Sequence, residues 1–277
     1  MIDINGVLYN EDDLVLSPLD ASVFYGFSVY ETLYIKNKKV AFYDEHLLRL
    51  KTSCDFFNIQ FPDSGDLKIR IKKLIEKDNI IDGRLRVITS PGNINNITNS
   101  KKCSTFIRIE EIKQSPTDIR LTLSTIKKPY PPIYPSNVKI SANYFSLLSY
   151  IESKKKGFDE GLMTTADNII TEGSYCNIFW SKQDVLFTPD IKSSILEGVT
   201  RSKILDICNK LDFKIKEGIF YLQELENADN IFISSSTRGL LFVSQYDDKK
   251  FNKNKYNNYN EIMKYYEKIQ DDSFSQW

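Results

Sequence analysis

The sequence predicts a mixed α/β (α+β) fold divided into two domains. Segments with the alternating pattern of strands are interspersed with segments whose apolar residues recur at helical spacing. The chain has 277 residues, which is enough for two domains with a core each. Four of its nine prolines fall in KKPYPPIYPS, residues 127–136, where they exclude a regular helix or strand. We therefore expect a smaller N-terminal domain at 1–126, a crossing at 127–136 and a larger C-terminal domain at 137–277.

The N-terminal part of the sequence predicts strands and two helices. INGVLY and VYETLYIKNKKVAFYD are typical of strands, and the lysine-rich centre of the second predicts a hairpin turn. DEHLLRLKTSCDFF predicts a helix, because its apolar residues recur at helical spacing behind an acidic first turn. DLKIRIKKLIEKD predicts a second helix with Asp66 as its N-cap. Further strands are expected at RLRVITS, STFIRIE and IRLTLSTI.

The C-terminal part begins with a predicted short strand, NVKISA, and a helix, NYFSLLSYIESKKKG, that ends at Gly157. GLMTTADNIITEG, CNIFWSK and DVLFTPD predict a meander of strands with tight turns at Asp167-Asn168 and Gln183-Asp184. GVTRSKILDICNKL predicts a helix with Thr200 as its N-cap. A strand near NIFISSS and a helix near NEIMKYYEKIQ complete the predicted domain.

The composition argues against several classes of function. Lysine plus arginine equals aspartate plus glutamate at 37 each, so no strong field favours nucleic acid or an anionic membrane. No run of about 18 apolar residues predicts a membrane span, and the acidic N-terminal segment does not resemble a signal peptide. The four cysteines are widely spaced and form no CxxC pair, which predicts free thiols in a reducing cytoplasm and no metal site.

The chain has a single histidine, His46. Every Ser-His-Asp triad, Cys-His dyad or histidine-rich metal site would have to use it. Because His46 lies in a predicted helix with regular apolar spacing, we expect it to have a structural or capping role. Another group would then carry out proton transfer.

Lys139 is the first candidate for chemistry. A lysine on a short strand between two apolar residues usually points to solvent. If Lys139 points inward, desolvation favours its neutral amine, a nucleophile that can form a Schiff base. Tyr144, five residues further on, would bring a phenol near the same site.

The second candidate is the helix start in LEGVTRSKIL. Gly198 allows close approach of the backbone, and the free N–H groups of Val199 and Thr200 form an anion site at a helix N-terminus. An ordinary capped helix would explain Thr200 equally well. The segment SSSTRG, residues 234–239, adds hydroxyl groups at the end of an apolar strand and suits the same kind of ligand.

The third candidate is Glu172, in IITEGSYCNIF. An isolated carboxylate at a strand end is usually solvated, whereas a buried one needs a cationic partner or a shared proton. A protonated ring nitrogen would satisfy it. A phosphate on a helix N-terminus, an aldehyde on a lysine and a ring nitrogen facing an acid together describe pyridoxal phosphate.

Five motifs, in order along nearly the whole chain, resemble those of the class IV (fold-type IV) pyridoxal-phosphate enzymes, which include branched-chain aminotransferases, D-amino-acid aminotransferases and aminodeoxychorismate lyases. SPLDASVFYGFSVYETLYI is similar to the family's Asp–Tyr-Gly–Phe-Glu segment, and DEHLLRL to its His-x-x-Arg-Leu helix. VKISANY resembles the lysine strand, ITEGSYCNIF the Glu-Gly–Asn-x-Phe motif, and TPDIKSSILEGVTRSKIL the Thr-Pro–Gly-x-Thr-Arg stretch. The resemblance implies a two-domain enzyme with pyridoxal phosphate in the cleft, and a homodimer.

The resemblance also implies a role for individual residues. Lys139 would bind the cofactor aldehyde and move a proton as the catalytic base and acid. Glu172 would pair with the ring nitrogen, and Arg49 would bind the phosphate. The implied cofactor-binding residues are Arg49, Tyr144, Glu172, Leu196, Val199, Thr200, Ser235 and Ser236. The implied substrate-binding residues are Tyr25, Tyr30, Arg86 and Thr237.

Within this family the sequence favours an aminotransferase that uses a branched-chain or similar apolar L-amino acid and a 2-oxo acid. KISANY and SVYE are closer to the branched-chain enzymes, whereas Thr32 and the short chain are closer to the lyases and D-amino-acid enzymes. Those two activities therefore stay open, as does a catalytically dead binding protein, although retention of both Lys139 and Glu172 disfavours it. Arg238 would bind a second carboxylate or face solvent.

Overall fold

The structure is a computed structural model that describes residues 1–13, 16–98, 102–112, 116–253 and 258–277. The strands are β1 (Ile2–Ile4), β2 (Val7–Tyr9), β3 (Val29–Lys36), β4 (Lys39–Val40), β5 (Gly83–Ser90), β6 (Ser104–Glu111), β7 (Asp118–Lys127), β8 (Glu160–Thr164), β9 (Ile170–Gly173), β10 (Asn177–Lys182), β11 (Val185–Pro189), β12 (Ile215–Gly218), β13 (Asn230–Ser235), β14 (Gly239–Tyr246) and β15 (Lys249–Lys250). The α-helices are α1 (Ala21–Phe24), α2 (Tyr43–Phe56), α3 (Ser64–Asp78), α4 (Tyr144–Lys155), α5 (Val199–Lys210), α6 (Leu222–Glu226) and α7 (Tyr259–Ser275).

The chain divides into two compact units. The first consists of residues 1–114, 137–142 and 270–277, and the second of residues 115–136 and 143–269. These units differ from the predicted domains of 1–126, 127–136 and 137–277, and residues 270–277 group with the first unit rather than with the C-terminal domain. Strand β7 and the proline-rich segment group with the second unit, and the Lys139 segment groups with the first. The predicted domain boundaries remain a prediction.

The first unit is built on a six-stranded sheet with the order β2-β1-β6-β5-β3-β4, in which neighbouring strands are antiparallel. The predicted lysine-rich hairpin is confirmed, because Asn37 and Lys38 join β3 to β4 with positive φ angles of 51° and 63°. Alternate residues of β3 are buried, as expected for a strand with one face on a core. The buried core of this unit includes Val29, Leu33, Ile35, Leu47, Leu50, Leu67, Ile71, Leu74, Leu85, Val87 and Ile107.

Helices α2 and α3 contribute much of this core. Helix α3 starts one turn earlier than predicted, because Asp63 is its N-cap and accepts a hydrogen bond from the Asp66 N–H at 2.8 Å. Before α2, Phe42 has a left-handed φ of 49°, and its N–H donates to Ser273 Oγ at 3.2 Å. The ring of Tyr43 meets that of Trp277 edge-on at 4.7 Å between centroids. The last residues of the chain thus pack within the first unit.

The second unit contains a nine-stranded sheet with the order β12-β11-β10-β13-β14-β7-β8-β9, in which β15 pairs with β14. The predicted turns are confirmed by positive φ angles at Asn168, Gln183 and Asp184. The predicted continuous meander is wrong, because β10 pairs with β11 on one edge and β13 on the other, which leaves no edge for β9. The buried core of this unit includes Ile119, Leu121, Leu162, Ile170, Ile178, Trp180, Ile231, Ile233, Leu241 and Val243.

Two helices of the second unit bear on the candidate site. Helix α4 is capped by Asn143 and is followed by Gly157 with a φ of 80°, which confirms its predicted end. Helix α5 has Gly198 as its N-cap, so the prediction of Thr200 as N-cap is wrong. Thr200 instead lies in the first turn, with its Oγ1 3.4 Å from Tyr266 Oη. None of the helices in the described residues is long and apolar enough to cross a membrane.

Candidate active site

Lys139 lies in an extended segment of the first unit whose backbone partners come from two elements. Its carbonyl accepts from the Tyr30 N–H at 3.1 Å, and its N–H donates to Ser53 Oγ at 3.0 Å. The predicted NVKISA strand is therefore wrong. Ile140 makes only an isolated bridge with Val29. No strand forms at Lys139, because one of its backbone partners lies on strand β3 and the other on helix α2.

The Lys139 side chain is half-buried and lies over an aromatic ring. Its Nζ is 4.5 Å from the centroid of the Tyr30 ring, and Arg86 Cζ is 5.6 Å from the same centroid. Both distances are within the range of a cation–π interaction. The structure thus brings together Lys139, Tyr30 and Arg86, all predicted site residues.

Arg49 belongs to a buried ionic cluster beside Lys139. Its Nε donates to Glu31 Oε1 at 2.6 Å and its Nη2 to Glu31 Oε2 at 2.8 Å. His46 Nδ1 lies 2.7 Å from Glu31 Oε2, and all three side chains are at most 8% exposed. Ser53 Oγ donates to the Arg49 carbonyl at 2.9 Å, so Ser53 connects this cluster to the Lys139 backbone. Glu31 therefore holds Arg49, the residue predicted to bind the phosphate, in a fixed orientation.

The protonation states in this cluster follow from the geometry. Burial is the largest single influence and would raise the pKa of Glu31, but the charges and hydrogen bonds of Arg49 and His46 together outweigh it and hold that pKa well below its ordinary value. Burial lowers the pKa of His46, and Glu31 opposes this only in part. An ionised Glu31 accepts hydrogen bonds only, so a neutral His46 carries its proton on Nδ1. The predicted structural role of His46 agrees with this position.

We expect Glu31→Gln to destabilise the protein by about 3–5 kcal/mol, because it leaves the Arg49 guanidinium buried without its carboxylate. The free energy of unfolding, measured in urea at pH 7, checks this value.

The lowered pKa values of His46 and Glu31 also make the free energy of unfolding of wild type fall in acid. It falls first as the pH drops below the ordinary pKa of His46, 6.5, and then as it drops below the ordinary pKa of Glu31, 4.5. The variant should lose the second part of that fall, and a variant as stable as wild type would contradict the prediction.

Tyr25, also predicted to contact substrate, does not join this group. It forms the C-terminal cap of α1, is 59% exposed, and contacts the Phe24 ring at 4.8 Å between centroids. Among the residues that the structure describes, no contact connects Tyr25 to Tyr30 or Lys139.

Glu172 lies in the second unit and is 7% exposed, so it is the buried carboxylate that the sequence raised as a possibility. Its Oε1 accepts from Lys128 Nζ at 2.6 Å, and its Oε2 accepts from the Leu196 N–H at 2.8 Å. Asn177 Nδ2 lies 3.3 Å from Oε2 and donates to the Leu196 carbonyl at 2.7 Å. The predicted need for a cationic partner is met within the chain by Lys128, a residue that the sequence analysis did not consider.

The start of helix α5 lies directly beyond Leu196. Gly198 makes no side-chain cap, and a Cβ atom at this position would overlap Asn177 Oδ1, so a residue without a side chain is required here. Val199 and Thr200 are buried, and their N–H groups belong to the helix turn that has no intrahelical acceptor. Glu172, Leu196, Val199 and Thr200 are thus connected through Asn177 and the backbone.

The remaining predicted residues of the second unit are Tyr144 and the segment 235–237. Ser236 and Thr237 lie in the turn between β13 and β14, and the Ser235 carbonyl accepts from the Arg238 N–H across that turn at 3.2 Å. Arg238 does not face open solvent, since its Nη2 donates to the buried Glu160 at 2.9 Å. Tyr144 begins α4 and is 64% exposed.

The sequence analysis assigned no role in the site to Glu31, Lys128, Asn177 and Glu160. For Glu31 a signal was present, because it occupies an inward position of the alternation in β3 where apolar residues are the rule. Asn177 was visible inside its motif. Lys128 carried no signal, since its partner is 44 residues away along the chain.

Comparisons with known proteins identify the family. A sequence model described as "Amino-transferase class IV" matches residues 28–246. The chain belongs to the class IV aminotransferase family. A probable branched-chain-amino-acid aminotransferase of Rickettsia bellii is 30% identical over 240 residues, which cover 84% of this chain and 82% of the relative. An aminodeoxychorismate lyase of Bacillus subtilis is 26% identical over 247 residues, covering 85% and 83%.

Solved structures support the fold of this class IV aminotransferase-family protein. Escherichia coli branched-chain amino acid aminotransferase superposes with a TM-score of 0.87 at 22% identity, covering 100% of this chain and 96% of the other. A putative 4-amino-4-deoxychorismate lyase of Legionella pneumophila superposes with a TM-score of 0.83 at 21% identity, covering 94% and 98%. The predicted family, its mixed fold-type IV architecture and membership in an enzyme family are confirmed. No cluster of metal-ligating side chains occurs in the described ranges.

Proposed function

We propose that this protein uses pyridoxal phosphate to move an amino group between a branched-chain or similarly apolar L-amino acid and a 2-oxo acid. Glu172 is the observation that carries the proposal. A buried carboxylate has about four acceptor positions, and Lys128, Leu196 and Asn177 use three of them, which leaves one for a ring nitrogen. Glu172 can therefore accept one further hydrogen bond, which suits the protonated nitrogen of a pyridine ring.

The chain supplies a suitable group for each part of that cofactor. Lys139 Nζ would bind the aldehyde, and the Val199 and Thr200 amides would bind the phosphate at the start of α5. Arg49 would add charge to the phosphate site, with Ser235 and Ser236 as hydroxyl donors. Leu196 would lie against the cofactor ring, and Tyr144 would form a hydrogen bond with the hydroxyl group of that ring. Bound in this way, pyridoxal phosphate supplies an electron sink for charge that develops on the substrate.

The protein's own part in the reaction is proton transfer and electrostatics. Lys139 Nζ would take the proton from the substrate α-carbon as a general base and deliver it, as a general acid, to C4′, the aldehyde carbon of the cofactor. Glu172, fixed by its three donors, would keep the ring nitrogen protonated without having to reorient during the reaction. The contact of Lys139 with Tyr30 supports this role, because the ring restricts the amine to one side.

Tyr30 and Arg86 would contribute to the substrate pocket, with Tyr25 and with Thr237 as a donor to the substrate carboxylate. Arg86 Cζ lies 5.6 Å from the centroid of the Tyr30 ring, and a guanidinium at this position would suit an acidic co-substrate such as 2-oxoglutarate. The Rickettsia bellii and Escherichia coli relatives, both named as branched-chain aminotransferases, support the choice of amino acid.

A lyase that releases pyruvate from 4-amino-4-deoxychorismate is the second candidate. The Bacillus subtilis relative of that name covers as much of the chain as the aminotransferases do, which supports keeping this activity open. A D-amino-acid aminotransferase would use the same residues but would bind a substrate of the opposite configuration at the α-carbon.

The deciding experiment has three parallel assays on the purified protein loaded with pyridoxal phosphate. One offers L-leucine with 2-oxoglutarate, the second D-alanine with 2-oxoglutarate, and the third aminodeoxychorismate. We expect L-glutamate to form in the first and little product in the others. Pyruvate from the third assay alone would overturn the substrate proposal in favour of the lyase. A protein that gains no visible absorption with pyridoxal phosphate would overturn the enzyme proposal in favour of a binding protein.

We also propose a homodimer, as in the resemblance. Helix α4 exposes large apolar side chains, among them Tyr144, Leu147, Leu148 and Ile151, and a second copy of the chain would cover such a surface. All four cysteines are free thiols, which supports a cytoplasmic location.

A further inference from the structure

The turn between β13 and β14 is held by an ion pair that plays no part in the roles proposed above. Arg238 Nη2 donates to Glu160 Oε2 at 2.9 Å, and Glu160 is 1% exposed. Arg238 Nε donates to Ser235 Oγ at 3.2 Å. The guanidinium thus bridges a buried carboxylate of β8 and the first hydroxyl of the turn.

Glu160 also fixes a second segment of the candidate site. Its other oxygen, Oε1, accepts from the Ser174 N–H at 2.9 Å, two residues beyond Glu172. Gly173 leaves room for this arrangement, because a Cβ atom there would approach Glu160 Cγ to 3.3 Å and overlap Cys176 Sγ. One buried carboxylate therefore ties the turn at Ser235–Thr237 to the segment that follows Glu172.

The direction of the bond between Arg238 and Ser235 decides how Ser235 can act. A hydroxyl has one hydrogen to donate and two lone pairs to accept with, and a guanidinium can only donate. Ser235 Oγ therefore uses a lone pair on Arg238, and its hydrogen remains available. Within the part of the chain that the structure describes, no protein group accepts that hydrogen. A hydroxyl that accepts from a cation is also a stronger donor, because the two bonds polarise each other.

We propose that Arg238 is a positioning residue that directs the Ser235 hydroxyl hydrogen toward a bound oxyanion, while Glu160 holds Arg238 in place. This inference rests on the proposed function, in which Ser235 binds the cofactor phosphate and the neighbouring turn binds the substrate carboxylate. Since Glu160 balances the charge of Arg238, the effect is one of orientation rather than of net positive charge.

The test compares four proteins: wild type, the double variant Glu160→Gln with Arg238→Gln, Ser235→Ala, and the triple variant that combines all three changes. Changing both members of the pair avoids leaving Glu160 buried without a partner, which would destabilise the fold in Arg238→Gln alone. Two dissociation constants are measured, one for pyridoxal phosphate with the apoprotein and one for 4-methylvaleric acid with the loaded protein. Together they distinguish a phosphate from a carboxylate as the anion. Arg120→Gln is the control, because Arg120 pairs with Asp159 at an exposed position of the same unit.

We expect the double variant to raise one of the two dissociation constants by about 10-fold, as the loss of one oriented hydrogen bond implies. In a Ser235→Ala background the same double change should have little further effect, because the hydroxyl that Arg238 orients is gone. Arg238→Lys, with Glu160 unchanged, should keep part of the affinity that the double variant loses. Equal affinity for both ligands in the double variant and wild type would overturn the inference, as would a full 10-fold effect in the Ser235→Ala background. Wild type that binds neither ligand would overturn the proposed function and the inference together.

Discussion

Lys139→Ala is expected to lower the turnover number by roughly 10³-fold or more, because it removes the amine that we propose both binds the cofactor and moves the substrate proton. The variant should still fold, since the Lys139 backbone contacts to Tyr30 and Ser53 do not depend on its side chain. The measurement is single-turnover and steady-state kinetics with L-leucine and 2-oxoglutarate, combined with a melting curve.

Lys51→Ala is the matched control for Lys139→Ala. Lys51 lies on α2 in the same unit, is 55% exposed in its side chain and pairs with Asp55 on the helix surface. Its loss should leave turnover unchanged and stability within about 0.5 kcal/mol. If Lys139→Ala kept full activity while folding normally, the lysine would be misassigned and another amine would have to take its role.

Glu172→Gln is expected to lower the turnover number by roughly 10²-fold, because a neutral amide cannot keep the ring nitrogen protonated. The contact with Lys128 adds a consequence for stability. The change leaves the Lys128 ammonium, 11% exposed, without a charged partner, at a cost of about 1–3 kcal/mol. Denaturant unfolding and steady-state kinetics on the same preparation measure the two effects.

The double variant Glu172→Gln with Lys128→Gln separates the two effects. It should regain much of the lost stability, since no unpaired charge is left, but it should not regain turnover. Recovery of turnover in the double variant would mean that Glu172 serves only to neutralise Lys128, and the assignment of the ring nitrogen to Glu172 would fail.

The elements of the fold were predictable where local pattern decides the conformation. The β3–β4 hairpin, helix α2 and the end of α4 follow from alternation, helical spacing and a glycine that adopts a positive φ. Cap positions were less predictable. Asp63 and Asp66 are both acceptable caps, and only the structure shows which of them precedes the first helical residue.

The candidate site was predictable as a set of residues but not as a set of contacts. The motifs indicated Lys139, Glu172 and the start of α5. They could not indicate that Lys128 reaches Glu172 or that Arg238 reaches Glu160, because these pairs are 44 and 78 residues apart. Such contacts depend on strand order, and the order β14-β7-β8 is set by parallel pairings that leave no local trace in the sequence.

The C-terminal residues have a consequence for how the protein is made. The unit that carries Lys139 contains residues 270–277, through the Phe42–Ser273 hydrogen bond and the contact between the Tyr43 and Trp277 rings. A ribosome releases the N-terminal sheet long before it releases these residues. Native packing around the start of α2 must therefore wait until residues 270–277 have been synthesised. A nascent chain stalled before residue 270 would lack those contacts.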